Sequence, residues 1–176
     1  DFVSHVRMMK TDYEDTGLAQ LFGMPFVVLR KPVPFDTTTL NFNWQVWDTK
    51  AFSLYSRSTE KIDKKGADMA IAAVCRFLSR MNVLNYNVYG GYESTVLIEE
   101  ELVSLRSTAS GLYIPHVKSF DSVERGQVLA DIIDPLTGVT VAQTEAPEDG
   151  IVFFAKDSPL VMENETLFKI VNKLHK

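Results

Sequence analysis

The chain has 176 residues, 45% hydrophobic and 23% charged, with 23 acids against 18 bases and a net charge of −5. That balance excludes a disordered chain and argues against a nucleic-acid partner, which needs a basic face. No apolar run approaches the length of a membrane span, and the single Cys75 rules out an internal disulfide framework and fits a cytoplasmic protein.

The N-terminus, Asp1-Phe2-Val3-Ser4-His5-Val6-Arg7, has no secretory signal and no initiator Met, and reads as the start of a processed or truncated piece. Asp12–Phe22 reads as a short helix with Leu18, Leu21 and Phe22 on one face, stopped by Gly23 and Pro25. Phe26–Leu29 is a continuous apolar run between prolines, as in a buried strand of a parallel or mixed sheet. Lys31–Asp36 is a proline-rich loop. Residues 37–47 fit two periods: Phe42, Trp44 and Val46 alternate like a strand, while Leu40, Trp44 and Trp47 keep helical spacing with Asp36 as a possible cap. Propensity favours the strand.

Ala51–Tyr55 is a further strand and 56–61 a polar loop. Lys64–Met81 is the strongest helix, with Asp63 as its cap and Ala67, Ile71, Val74, Leu78 and Met81 as its apolar stripe. Cys75 borders that stripe and reads as a small buried hydrophobe. Asn85–Ser94 is turn-rich and marks a boundary, which gives domains at 1–90 and 91–176. The terminal residues from Asn172 are expected to fray.

The second half contains one pattern twice, at Ala109–Ile132 and Ala146–Ile170. Each copy has a Gly (Gly111, Gly150), an apolar strand, a polar loop, a tight turn and an alternating strand. Gly126 in one turn matches Asn164 in the other, the two residue types that most readily take φ > 0. Two such units can bury each other's apolar face, with Val123, Leu129, Ile151, Val161 and Leu167 inside. The pattern resembles the biotinyl/lipoyl-like barrel-sandwich domain. The central turn, Asp134–Gly138, has no lysine, which argues against a cofactor carrier.

The joint order of a helix, L-A-Q-L-F-G-M-P-F-V-V-L, F-S-L-Y, E-K-I-D, a long helix ending F-L-S-R-M-N-V-L, and G-L-Y-I-P … G-Q-V-L … A-P-E-D-G-I-V resembles the C-terminal part of the succinylglutamate desuccinylase/aspartoacylase family. The resemblance covers essentially the whole chain. It implies an α/β fold, part of a carboxypeptidase-like mixed sheet, followed by an all-β barrel-sandwich domain. It also shifts residues 37–47 towards a helix.

By the same resemblance, the activity is zinc-dependent hydrolysis of the amide of an N-acyl amino acid or similar small molecule. The family's zinc ligands, a His-x-x-Glu pair and a later His, belong to a missing N-terminal segment. Neither His5 nor His116 begins such a pair, and these and His175 read as surface or structural residues on loops and a terminus. The family places its general-base glutamate after the strand that precedes the long helix. A gapless register puts Tyr55 there, with Glu60 five residues on. Glu60 is the candidate base, Tyr55 a candidate hydrogen-bond donor to an oxyanion, and Arg57 a candidate for a substrate carboxylate. A phenol is a poor base at neutral pH, with an ordinary pKa of about 10. The 176 residues alone are expected to bind no catalytic zinc and to be inactive. The alternative is a non-catalytic binding or assembly module. The partners expected are the missing segment, the N-acyl substrate and, in a homo-oligomer, further copies.

Overall fold

The computed structural model describes residues 1–58, 61–87 and 90–172. The fold is sheet-rich and divides into two compact units, one of Ser4–Glu101, the other of Asp1–Val3 with the chain from Leu102 onwards. The boundary expected at residue 90 is thus displaced. Thr95–Ile98 (β4) is a strand of the first unit, pairing with Phe26–Arg30 (β2).

The first unit holds a four-stranded mixed sheet. β2 lies between β4 and His5–Met9 (β1), parallel to both, and Ser53–Tyr55 (β3) pairs antiparallel with β1 at one edge. β1 was not foreseen in the sequence, yet it is central. One face of the sheet packs under Thr16–Gln20 (α1) and Lys64–Arg80 (α3), with Val6, Met8, Val27 and Leu29 against Ala19, Phe22 and Ala73. α1 is shorter than expected because its cap is Asp15, whose carboxylate accepts from the Leu18 N–H at 2.9 Å.

The ambiguous stretch is helical. A 3-10 turn, Pro34–Thr38, leads into Leu40–Val46 (α2), capped by Thr39 and not by Asp36. Asp36 is buried and accepts from the Val33 N–H, 2.8 Å away. Tertiary contacts decide the period. The buried Gln45 side chain accepts from the Met9 N–H (3.1 Å) and donates to the Met9 carbonyl (2.7 Å), completing the end of β1.

α3 has the expected length but a different inward face. Gly66, Ala73 and Arg76 are buried, whereas Ala67, Ile71, Val74 and Met81 of the apolar stripe are exposed and Leu78 is half-buried. Arg76 donates to the carbonyls of Phe22 and Gly23, and Arg80 to that of Leu21, so the two cap the end of α1. Burial, reinforced by Arg80, pushes the Arg76 guanidinium pKa down. Asp63 makes no capping hydrogen bond, and its carboxylate faces Arg57 instead.

The second unit contains two four-stranded antiparallel sheets sharing one core. The first copy of the repeat supplies Gly111–Pro115 (β6), Ser122–Val123 (β7) and Val128–Ile133 (β8). Thr140–Glu145 (β9) follows, and the second copy supplies Gly150–Ala155 (β10), Leu160–Val161 (β11) and Thr166–Asn172 (β12). Val103–Arg106 (β5) completes the set. The orders are β5-β12-β10-β7 and β11-β6-β8-β9.

Each copy lends its short strand to the other copy's sheet. Val123 pairs with Gly150, and Val161 with Gly111, in equivalent registers. The two glycines meet equivalent obstacles: a Cβ on Gly111 would stand 2.5 Å from the Ile133 carbonyl oxygen, and one on Gly150 2.6 Å from that of Val171. The matched turns also agree, with φ of 80° at Gly126 and 66° at Asn164.

Val123, Leu129, Val161 and Leu167 are buried as expected. Ile151 is only half-buried. Val152 takes the inward place; the register of β10 against β12 then shifts between Val152 and Phe154, and Phe153 is buried against Phe2. At that irregularity the Phe153 carbonyl accepts the Val3 N–H at 2.8 Å, which ties Asp1–Val3 to this unit.

Candidate functional site

The antiparallel pairing of β1 with β3 sets His5 opposite Tyr55 and Arg7 opposite Ser53. Cross-strand and diagonal neighbours on one face lie within side-chain reach. These residues occupy the face away from α1 and α3. The His5 ring stacks on Tyr55, with centroids 5.0 Å apart and planes 9° from parallel. The Arg7 guanidinium lies 4.8 Å from the Tyr55 ring centroid, and its Nη1 donates to the phenol oxygen at 3.4 Å. Its Nη2 pairs with Glu99 Oε2 at 2.6 Å. Glu99 opens a 3-10 turn, Glu99–Glu101, directly after β4, so this one ion pair crosses the sheet from β1 to the far edge. α2 reaches the same face, where Asn41 donates to Ser53 Oγ at 2.7 Å.

Tyr55 is therefore held on two sides and remains 37% exposed. Its oxygen accepts from a cation, which leaves the hydroxyl proton available to a ligand. β3 runs antiparallel to β1, so Tyr55 sits at the amino end of β1. The rule that pockets form at the carboxyl ends of parallel strands does not apply to this loop.

Arg57 is drawn to the start of α3, with Nε 3.5 Å from Asp63 Oδ2. That contact does not join it to the Tyr55 group. Glu60, the candidate base, lies outside the described residues, as does His175.

His5, Arg7 and Glu99 were missed as site residues. The available signal was a charge inside an apolar run, H-V-R-M-M, and the E-E-E triplet directly after a strand. His5 is not on a loop but fully buried in β1. His116 is exposed, with Nε2 2.9 Å from Asp131 Oδ2, and Asp131 also accepts from Gln143 at 2.8 Å. The Gln143 and His116 hydrogen bonds hold the Asp131 carboxyl pKa below the usual range. This trio links β6, β8 and β9 and is structural.

Among the described residues no three His, Cys, Asp or Glu side chains gather where they could hold a metal. The described side chains do not fit a zinc site, which needs three protein ligands. Among the same residues no helix is long and apolar enough to cross a membrane.

No protein-family model matches the sequence, and no curated protein matches it. Solved structures do match. The ectoine utilization protein EutE (DoeB) of Ruegeria pomeroyi, in a product-bound structure, superimposes with a TM-score of 0.79 at 13% identity, over 98% of this chain and 54% of that one. A succinylglutamate desuccinylase/aspartoacylase of Rhodobacter sphaeroides gives 0.75 at 16% identity, over 100% and 55%. An aspartoacylase family protein of Mesorhizobium loti gives 0.68 at 16%, over 100% and 54%. At these identities the likeness is one of fold. The chain spans about half the length of these proteins and corresponds to their C-terminal part.

Proposed function

We propose that this chain is the C-terminal part of a zinc-dependent deacylase that hydrolyses the amide bond of an N-acyl amino acid or a similar small molecule. The observation that carries the reading is the match of nearly the whole chain, both units included, to the C-terminal part of succinylglutamate desuccinylase/aspartoacylase structures. In this reading the first unit is part of a carboxypeptidase-like mixed sheet, supported by its parallel strands with one antiparallel edge. The second is a lipoyl-like barrel-sandwich, supported by the reciprocal exchange of β7 and β11. Zinc, when bound, would supply Lewis-acid activation of water and carbonyl, and residues outside this chain would hold it.

The chain's own contribution is positional. Tyr55, braced by Arg7 and His5, donates a hydrogen bond to the oxyanion of the tetrahedral intermediate. Arg57 keeps its Nη groups for a substrate carboxylate while its Nε faces Asp63. Glu60 accepts the proton of the attacking water and passes it to the departing amine. A second reading, a non-catalytic binding or assembly module, is favoured by one observation. Where the family has a glutamate, this chain has a tyrosine already engaged by a cation and an imidazole.

The test uses the protein encoded by the complete parent reading frame, assayed on N-acyl amino acids. Glu60→Gln is expected to keep bound metal and lower kcat by about 10²–10⁴. Tyr55→Phe is expected to lower kcat by about 10²–10³ with little change in KM. Unchanged turnover in both variants removes these residues from the site.

A further inference from the structure

The α3 stripe is not part of the core. Ile71 is 64% exposed, Val74 42% and Met81 42%, although the first two lie in α3 and the third is its C-cap. The spacing 67, 71, 74, 78, 81 repeats every three or four residues, the spacing of a seam between two helices. On a helix of 3.6 residues per turn the stripe lies roughly 80–160° around from Ala73, which points at the sheet. That direction is sideways, where the next helix of the same layer packs. Ala67 at one end of the seam would allow close approach. The other helical face of this unit is also uncovered, with Leu40, Trp44 and Trp47 of α2 and its C-cap exposed together. A unit with two apolar stripes open to water lacks cover on both sides of its sheet.

We infer that the α3 stripe seats a further amphipathic helix of the same protein, supplied by polypeptide outside these 176 residues. Two observations select that occupant. The solved structures that share this fold contain about as much chain again as this one covers. A second copy fits less well, because five side chains on one helix, one of them Ala and one already half covered, offer less than the roughly 800 Å² per partner of a stable dimer. A tethered segment needs no such area, since the tether raises its local concentration. The inference rests on the reading that the chain belongs to a longer protein, but not on the chemistry proposed for it.

Thiol labelling tests this without any activity readout. In a Cys75→Ser background, Val74→Cys and Ile71→Cys place a thiol on the seam, and Asp68→Cys places one on the polar side as a control. Each variant is made in the 176-residue chain and in the protein of the complete parent reading frame, then reacted with a maleimide. The seam thiols are expected to react rapidly in the 176-residue chain and at least tenfold more slowly in the longer protein, while the control stays fast in both. Equal seam rates in the two proteins overturn the inference. So does protection already present in the 176-residue chain together with a dimer by light scattering, which makes a second copy the occupant. A parent frame that encodes no further chain overturns it too.

Discussion

Arg7 is the residue on which the candidate site turns, and its energetics are testable in the chain as it stands. Its pair with Glu99 is largely withdrawn from water, and truncating one partner removes this ion pair from the other charge. Arg7→Met is expected to cost about 3 kcal/mol in urea unfolding, and Arg7→Met with Glu99→Gln to recover most of it. A double variant no more stable than the single would show that the loss comes from packing over Tyr55. The second unit carries carboxylates whose hydrogen bonds make stability depend on acid. Hydrogen bonds from Gln143 and His116 lower the pKa of Asp131, those from the backbone of Leu136 and Thr137 that of Asp134, and those from Lys156 and the Met162 N–H that of Glu165. A carboxylate with a depressed folded pKa contributes stability that is full above its unfolded pKa, about 4, and is lost as pH falls through the folded value. Melting temperature should therefore fall below about pH 4, and Asp131→Asn should flatten that fall. An unchanged slope would remove the Gln143–Asp131–His116 network from the account.

The elements differ in how plainly the sequence announces them, and the reasons are physical. The repeat is legible because strand alternation and turn residues are local properties: Gly126 and Asn164 do take positive φ, and Val123, Leu129, Val161 and Leu167 do point inward. Ile151 was misplaced because the residue after the matched glycine faces outward in both copies: Val152, not Ile151, faces the core, as Tyr113, not Leu112, does in the first copy. β1 was illegible because Arg7 interrupts its apolar run and its stability comes from distant partners, β2 and β3. For α3 the period identified a helix but not its inward face. That face is built from Gly66, Ala73, Arg76 and the half-buried Phe77, of which only Phe77 stands out by hydrophobicity. Of the candidate site, the family register singled out only the position of Tyr55, whereas its neighbours His5 and Arg7 are brought to it by strand pairing. Two outcomes follow for the second unit. Leu129→Ala and Leu167→Ala should each cost about 2–5 kcal/mol. Gly126→Val should destabilise more than Asn164→Gly, because only the first forces a β-branched residue to positive φ. Losses well under 1 kcal/mol at both leucines, or equal effects at the two turns, would contradict the interlocked repeat.

At the scale of the whole molecule, the chain is an incomplete catalyst only under the proposed deacylase function. It offers a hydrogen-bond donor, a candidate anion partner and a candidate base, but among the described residues no set of metal ligands. The purified 176-residue chain is accordingly expected to bind no stoichiometric zinc. Tight zinc binding abolished by replacing His5 or His116 would contradict that. The most direct measurement is hydrolysis of N-acyl amino acids in ¹⁸O-labelled water by the zinc-loaded protein of the complete parent reading frame. The deacylase reading predicts a free amino acid and one ¹⁸O in the released carboxylate. A zinc-loaded protein that releases neither from any N-acyl amino acid would contradict it and leave the non-catalytic module as the better description.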